Sequence, residues 1–274
     1  MRKAVWTAIT WPVVLVAALA GCGGARARPA APPDVRGKTL LAVFAHADDE
    51  IYVAPILARY AREGARVYLA IATDGARGGA PHATIPLGEA LAAARAQEAA
   101  CATRELGIEK PILLGFGDGA LGAIVGPPNA DLERLASKVR ETIATVKPDA
   151  ILTWGPEGAY GHPDHRLVSS VVMQVVQAGG PPLFSPGLRA DDIIRGKNLL
   201  LEQQSPVAER LLGVRVGFDA ADLERAKRAF RCHRSQFDSQ MTERILDGMQ
   251  RAWNGVILLQ PWFGAPAGEG VLGR

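Results

Sequence analysis

Cysteine is scarce in this sequence: three residues in 274 and no C-x-x-C pair, which excludes a structural zinc site built from thiolates. An excess of one charge is lacking too. Thirty-one Lys+Arg face 28 Asp+Glu, a net charge of +3, so no polyanion and no nucleic acid is implied as a partner. No apolar run reaches the roughly 20 residues of a membrane-spanning helix; the stretch Ala4 to Ala20 has seventeen, interrupted by Pro12. No G-x-S-x-G occurs, so a serine hydrolase of that type has no nucleophile elbow. Internal repeats are absent, although Gly 30 and Pro 19 are high. What remains is ordinary globular composition, 48% hydrophobic and 22% charged. It suits one large α/β domain, or two small ones, with a sizeable core.

The N-terminus reads as an export signal. Arg2-Lys3 is a basic start, Ala4 to Ala20 is uncharged and mostly apolar, and Leu19-Ala20-Gly21-Cys22 closes it. Small residues before a Cys resemble the bacterial lipobox, in which that Cys is acylated and becomes the first residue. The expectation is an exported lipoprotein of the cell envelope: signal peptide 1–21, lipidated Cys22, and a flexible Pro/Ala/Gly tether over 22–37. Loss of Arg2 and Lys3 lowers the net charge to +1. Cys101 and Cys232 then remain, in two separate helical runs. A disulfide suits an oxidising envelope, but sequence cannot place the two within bridging distance, and the reading here is two buried thiols.

From Lys38 the pattern alternates. Thr39 to Ala45 is a continuous apolar run, as in a strand covered on both faces. Ile51 to Glu63 has helical period. Arg66 to Thr73 is a second strand, Gly88 to Leu106 a helix closed by Gly107, and Pro111 to Phe116 a third strand. Asp131 to Val146 is a helix and Pro148 to Trp154 a fourth strand. This rhythm predicts a single α/β domain with a mostly parallel sheet and helices on both faces. Beyond residue 180 the expectation is strands near Leu199 to Leu201 and Val214 to Gly217, then a helix from Ala221 to about Cys232.

Ligands of such sheets bind at the carboxyl ends of the strands, and the polar clusters fall there. His46-Ala47-Asp48-Asp49-Glu50 follows the first strand; Tyr160-Gly161-His162-Pro163-Asp164-His165 follows the fourth. Unlike and like charges crowded at a buried strand end are costly unless a cation organises them. His46 and Asp49 are three apart, as are His162 and His165, so each pair can aim at one point. Two imidazoles and a carboxylate, with one position left to water, is the donor set of a catalytic zinc site. His82 and His233 read as surface or packing residues, the latter within a helix.

AHADDE followed about 115 residues later by YGHPDH resembles the N-acetylglucosaminyl-phosphatidylinositol de-N-acetylase (PIG-L/LmbE-like) family, whose pattern is AHPDDE with HPDH. The likeness runs from about Lys38 to Gln236. It takes in TDGARGG, Arg95-Ala96-Gln97-Glu98, LGFGDGAL and KRAFRCHRSQ. Ala47 departs from the family's Pro, from which a looser turn is expected. The resemblance implies a Rossmann-like fold and a zinc-dependent deacetylase of N-acetylglucosamine conjugates. It makes His46, Asp49 and His165 the ligands of one Zn2+ and Asp48 the general base. His162, protonated beside Asp164, would stabilise the oxyanion with Tyr160 close by, and Arg95 and Asp118 would hold the sugar, with Arg77 a weaker candidate. The chemistry agrees, since amide hydrolysis needs an activated water, a base and donors at the developing oxyanion.

Two rivals belong to other classes. Gly117 to Gly122 fits G-x-G-x-x-G after a strand, the mark of a dinucleotide-binding dehydrogenase, but it lies on the third strand and Ile124 to Pro128 does not open a helix. A non-catalytic lipoprotein that binds sugar or metal would need the ligands but no base, and Asp48 argues against it.

Overall fold

The computed structural model describes residues 34–121 and 130–272. The signal segment, Cys22 and most of the tether lie outside these residues, as do Gly122 and the Ile124 to Pro128 stretch.

Four strands build the half of the sheet that carries the motifs. Strand β1 (Thr39–Phe44) pairs in parallel with β2 (Arg66–Thr73) on one side and β4 (Ala150–Leu152) on the other. β3 (Ile112–Phe116) lies outside β2, and β5 (Leu183–Pro186) outside β4, both parallel. Two antiparallel strands extend the far edge, β6 (Val214–Gly217) and β7 (Val256–Trp262). The order is β3-β2-β1-β4-β5-β7-β6. The chain therefore winds outward from β1 through β2 and β3, then returns to the other side of β1. That reversal between β1 and β4 is where an α/β sheet opens a crevice at its carboxyl edge.

All six residues of β1 are buried because the pleat sends them alternately into two cores. Leu40, Ala42 and Phe44 join Ile56 and Leu57 of α1 (Ala54–Arg62), Ala99 and Ala102 of α2 (Glu89–Leu106), and Ala226 and Phe230 of α7 (Ala220–Phe230). Leu41 and Val43 face Leu135 and Val139 of α3 (Ala130–Val146) and Val168 and Val172 of α4 (Pro163–Gln177). Helices thus cover both faces of a mostly parallel sheet, as the alternation of runs predicts. Among the described residues no helix is long and apolar enough to cross a membrane.

Several expectations are corrected. Leu199 to Leu201 is no strand but the start of α6 (Leu199–Glu202), where the Asn198 side chain accepts a hydrogen bond from Leu201 N at 2.8 Å and caps the turn. Three leucines in a row carry no period, so local capping decides their conformation. Val35, 3% exposed, packs into the core, so the fold begins before Lys38. Cys101 and Cys232 are not two thiols but one disulfide, with Cα atoms 5.8 Å apart, tying α2 to the end of α7. Four elements have no counterpart in the sequence reading: β5, β7, α5 (Ala190–Gly196) and α8 (Ser239–Trp253).

Candidate active site

The β1 chain leaves the sheet at Phe44 and turns back through His46 to Asp48, before a short 3-10 turn over Asp49–Tyr52. Asp48 makes this possible at φ +100°, ψ −19°, a region that side chains with a Cβ rarely adopt. From β4 the chain runs through Trp154 and a loop with positive φ at Gly158, Ala159 and Gly161. His162 then caps α4, its Nδ1 accepting from Asp164 N at 3.2 Å, with Pro163 in the first turn. Because β1 and β4 are neighbours in register, Ala42 beside Leu152, the two motifs meet.

Three donors converge. His46 Nδ1 is 3.1 Å from His165 Nε2, His165 Nε2 is 3.2 Å from Asp49 Oδ1, and His46 Nδ1 is 3.8 Å from Asp49 Oδ2. Ligands about 2.1 Å from a tetrahedral zinc stand roughly 3.4 Å from one another, so the spacing fits a cation. Each donor is also aimed from behind. The other face of His46, Nε2, lies 3.3 Å from both Asp118 Oδ1 and Asp164 Oδ2, which favours a proton there and leaves Nδ1 free to ligate. Asp49 Oδ2 accepts from Ala45 N, His46 N and Trp154 Nε1 at 2.9–3.1 Å, which turns Oδ1 inward. The Trp154 indole stacks on His165, 4.7 Å between centroids and 8° from parallel. Burial works against charge on His46, but Asp118, Asp164, Asp49 and Asp48 push its imidazole up to about 10. A site this negative calls for a cation. His46, His162 and His165 also present ligand atoms within 4.8 Å of one another, as do His46, Asp118 and Asp164, so His162 stands at the edge of the same cluster.

The adjacent carboxylates Asp48 and Asp49 are driven apart. Burial raises Asp48 to about 6 against the pull of Arg95, and the neighbouring Asp49 adds to the rise. Burial opposes charge on Asp49 too, but His165 and His46 hold it well below the usual carboxylate range. Asp48 is also the more open of the two, its side chain 17% exposed against 6%. Paired groups with opposite shifts are suited to different duties: Asp49 stays ionised beside the two imidazoles, while Asp48 sits nearer the range in which a carboxyl exchanges a proton.

The structure gives Asp164 a second neighbour and places Arg95 deeper than expected. Asp164 is fully buried; its Oδ2 accepts from Gly119 N at 2.9 Å and faces His46, so it orients His46 while its charge also favours a proton on His162. His162 is lowered from its ordinary value by burial and by the nearby His46 and His165. A neutral imidazole whose Nδ1 accepts from Asp164 N has its proton on Nε2, which makes it a donor. Tyr160, 39% exposed, stands with its ring centroid 5.8 Å from that of His162. Burial raises its phenol, so it too remains a donor. Arg95 is 3% exposed, and its Nη2 donates to Ala47 O at 2.6 Å and Asp48 Oδ2 at 3.1 Å. The turn that lacks the family's Pro is thus gripped from the side. Asp118 Oδ2 accepts from Arg77 N at 3.1 Å, and hydrogen bonding to His46 holds the Asp118 carboxyl down, at about 2, against burial. The Gly119 N–H that a phosphate-binding loop would offer is used by Asp164.

Sequence reasoning gave Trp154, Glu50 and His233 no role of their own in the site. His233 is not within a helix but in the turn after α7, buried, with Nε2 2.6 Å from Glu50 Oε1. The signal that points to it is the KRAFRCHRSQ stretch, of which His233 is the seventh residue. His82 is exposed, as read, its ring meeting Arg234 O at 2.8 Å.

Residues 41–176 match the family model described as PIG-L: GlcNAc-PI de-N-acetylase. A 1D-myo-inositol 2-acetamido-2-deoxy-alpha-D-glucopyranoside deacetylase of Streptomyces avermitilis is 35% identical over 172 residues, 57% of this chain and 58% of that one. The chain therefore spans little more than half the length of this relative. Among solved structures, N,N'-diacetylchitobiose deacetylase from Pyrococcus horikoshii has a TM-score of 0.58 at 18% identity, covering 82% of this chain and 83% of that chain. A 4-carboxy-2-hydroxymuconate hydratase from Pseudomonas putida has a TM-score of 0.60 at 16% identity, covering 85% and 99%. These structures share the fold. A hydratase and a deacetylase on one fold mean that the reaction has to be argued from the site.

Proposed function

Residues 41–176 carry a PIG-L family domain, and from that premise we propose that this chain is a zinc-dependent hydrolase removing the acetyl group from an N-acetylglucosamine-type sugar or conjugate. The observation that carries the reading is geometric: His46, Asp49 and His165 bring ligand atoms within 3.1–3.8 Å of one another, while the adjacent and more open Asp48 turns its carboxylate to Arg95 instead. His46, Asp49 and His165 would hold the metal, which when bound supplies Lewis acidity and brings water to its nucleophilic form near neutral pH. Asp48 accepts the proton of the attacking water as its oxygen joins the amide carbon. His162 Nε2–H and the Tyr160 hydroxyl donate to the carbonyl oxygen as it gains charge. The proton on Asp48 then passes to the amine nitrogen as the C–N bond breaks, which leaves acetate and a free amino sugar. Asp118 and Arg95 border the sugar side, Arg95 acting through Asp48. A pure binder of sugar or metal has no use for a raised carboxyl beside the donor cluster.

Purified protein should release acetate from N-acetyl sugars, including N-acetylglucosaminyl-inositol and chitobiose, lose this activity to a chelator and regain it with zinc. Metal-loaded protein that releases none across such a panel overturns the proposal.

Export through a lipidated Cys22 is part of the same reading. The Cys101–Cys232 disulfide supports it, since such bonds persist in oxidising compartments. Cys22→Ala should abolish palmitate labelling and membrane fractionation; labelling that survives the change refutes the lipid anchor.

A further inference from the structure

Asp48 holds a backbone conformation that costs free energy for any residue but glycine, and two groups grip it. Arg95 of α2 takes its side chain. Its backbone N–H donates to Glu50 Oε2 at 3.0 Å, two residues on. Glu50 is 2% exposed, and its other oxygen meets His233 Nε2 at 2.6 Å. His233 is 1% exposed and 183 residues away in sequence. Both side chains are closed off from solvent, which suits a role through Asp48 and not on the substrate itself.

The ground beneath His233 is firm. The preceding residue, Cys232, is bonded to Cys101 on α2. Two residues later, Ser235 N and Oγ donate to Glu98 Oε1 and Oε2, both at 2.7 Å, again on α2. Gln236 Nε2 donates to Gly78 O at 2.6 Å. The helix that holds the Asp48 side chain thus also anchors the segment that holds its backbone.

We propose that Glu50 and His233 form a buried strut that fixes the left-handed turn at Asp48 and so aims the general base; they are positioning residues. The proposal rests on Asp48 acting as the base in the reaction above. A proton acceptor displaced by about 1 Å can lose about 10²-fold in rate, which sets the expected effect.

The test uses Glu50→Ala and Glu50→Gln in the zinc-loaded enzyme, with kcat, KM, zinc stoichiometry and residue-resolved hydrogen exchange at the Asp48 amide read together. Gln keeps an acceptor for Asp48 N–H and a partner for His233; Ala keeps neither. Glu50→Ala should lower kcat about 10²-fold with KM changed by less than about threefold, keep its zinc, and lose protection at the Asp48 amide. Glu50→Gln should restore both protection and most of kcat, a rescue that a general loss of packing would not produce. If Glu50→Ala does not fold, His233→Ala, which leaves every group of the motif in place, takes its part with the same expectation. The strut is overturned if Asp48 stays protected in the Ala variant, or if the Gln variant falls as far as Ala. It is overturned as well if the loss of kcat follows loss of zinc. A wild-type enzyme that releases no acetate defeats the proposed reaction, while exchange at Asp48 still decides the strut.

Discussion

Asp48→Asn should lower kcat for acetate release by about 10²–10⁴-fold, the usual worth of general-base catalysis, with zinc content near that of the wild type. The substitution keeps the side-chain shape and an oxygen for Arg95 Nη2, so the turn survives while the basicity is lost. Asp49→Asn should fail differently. Asp49 Oδ1 stands 3.2 Å from His165 Nε2 and Oδ2 accepts from three donors. An amide there puts an N–H against other N–H groups or a neutral oxygen toward the cation, so zinc affinity falls and excess metal restores part of the rate. Activity and zinc stoichiometry measured on the same samples separate the two. An Asp48→Asn enzyme within about threefold of wild type lies below the range of base catalysis and would assign the proton to another group.

Removal of either histidine proposed as a ligand should have the other large effect. His46→Ala and His165→Ala each delete one of the three proposed protein ligands and should empty most of the site after dialysis at neutral pH. Asp164→Asn acts one step back, through His46 Nε2, and should weaken zinc by the 10–100-fold typical of such partners. His162→Ala should keep most of the metal and lose rate instead, because its Nδ1 is committed to capping α4 and its Nε2 to donation. Zinc titrations of the four variants give the order. Equal loss in His46→Ala, His165→Ala and His162→Ala would abolish the distinction between ligand and oxyanion donor, and make His162 a fourth ligand.

The first four strands were legible because parallel strands buried on both faces read as unbroken apolar runs, and Thr39–Phe44 is the plainest of them. The site was legible because its residues are local, three apart at two strand ends. What the sequence hid depends on distant partners. β7 has a mixed burial pattern and contains Pro261, and only its antiparallel neighbours β5 and β6 make it a strand. Glu50 reads as one more acid in a run of acids until His233 is brought to it. The position of Asp164, two after His162, suggested a charge pair. The first turn of α4 also points the carboxylate at His46, a link that spacing alone does not show, and the backbone N–H at His162. Arg95 looked like a surface charge free for sugar, and the direction of α2 sends it to Asp48.

The bond between Cys101 and Cys232 also sets a condition on how the molecule is made. The two are 131 residues apart, so the first thiol waits for nearly the whole chain to emerge before it meets the second. Three cysteines allow three pairings, two of them wrong. The acyl chain proposed for Cys22 would remove the only competitor and leave one pairing, so the native disulfide would need an oxidant but no reshuffling. Recombinant chain that keeps an unacylated Cys22 takes that competitor into the oxidising step; a chain begun after Cys22 does not.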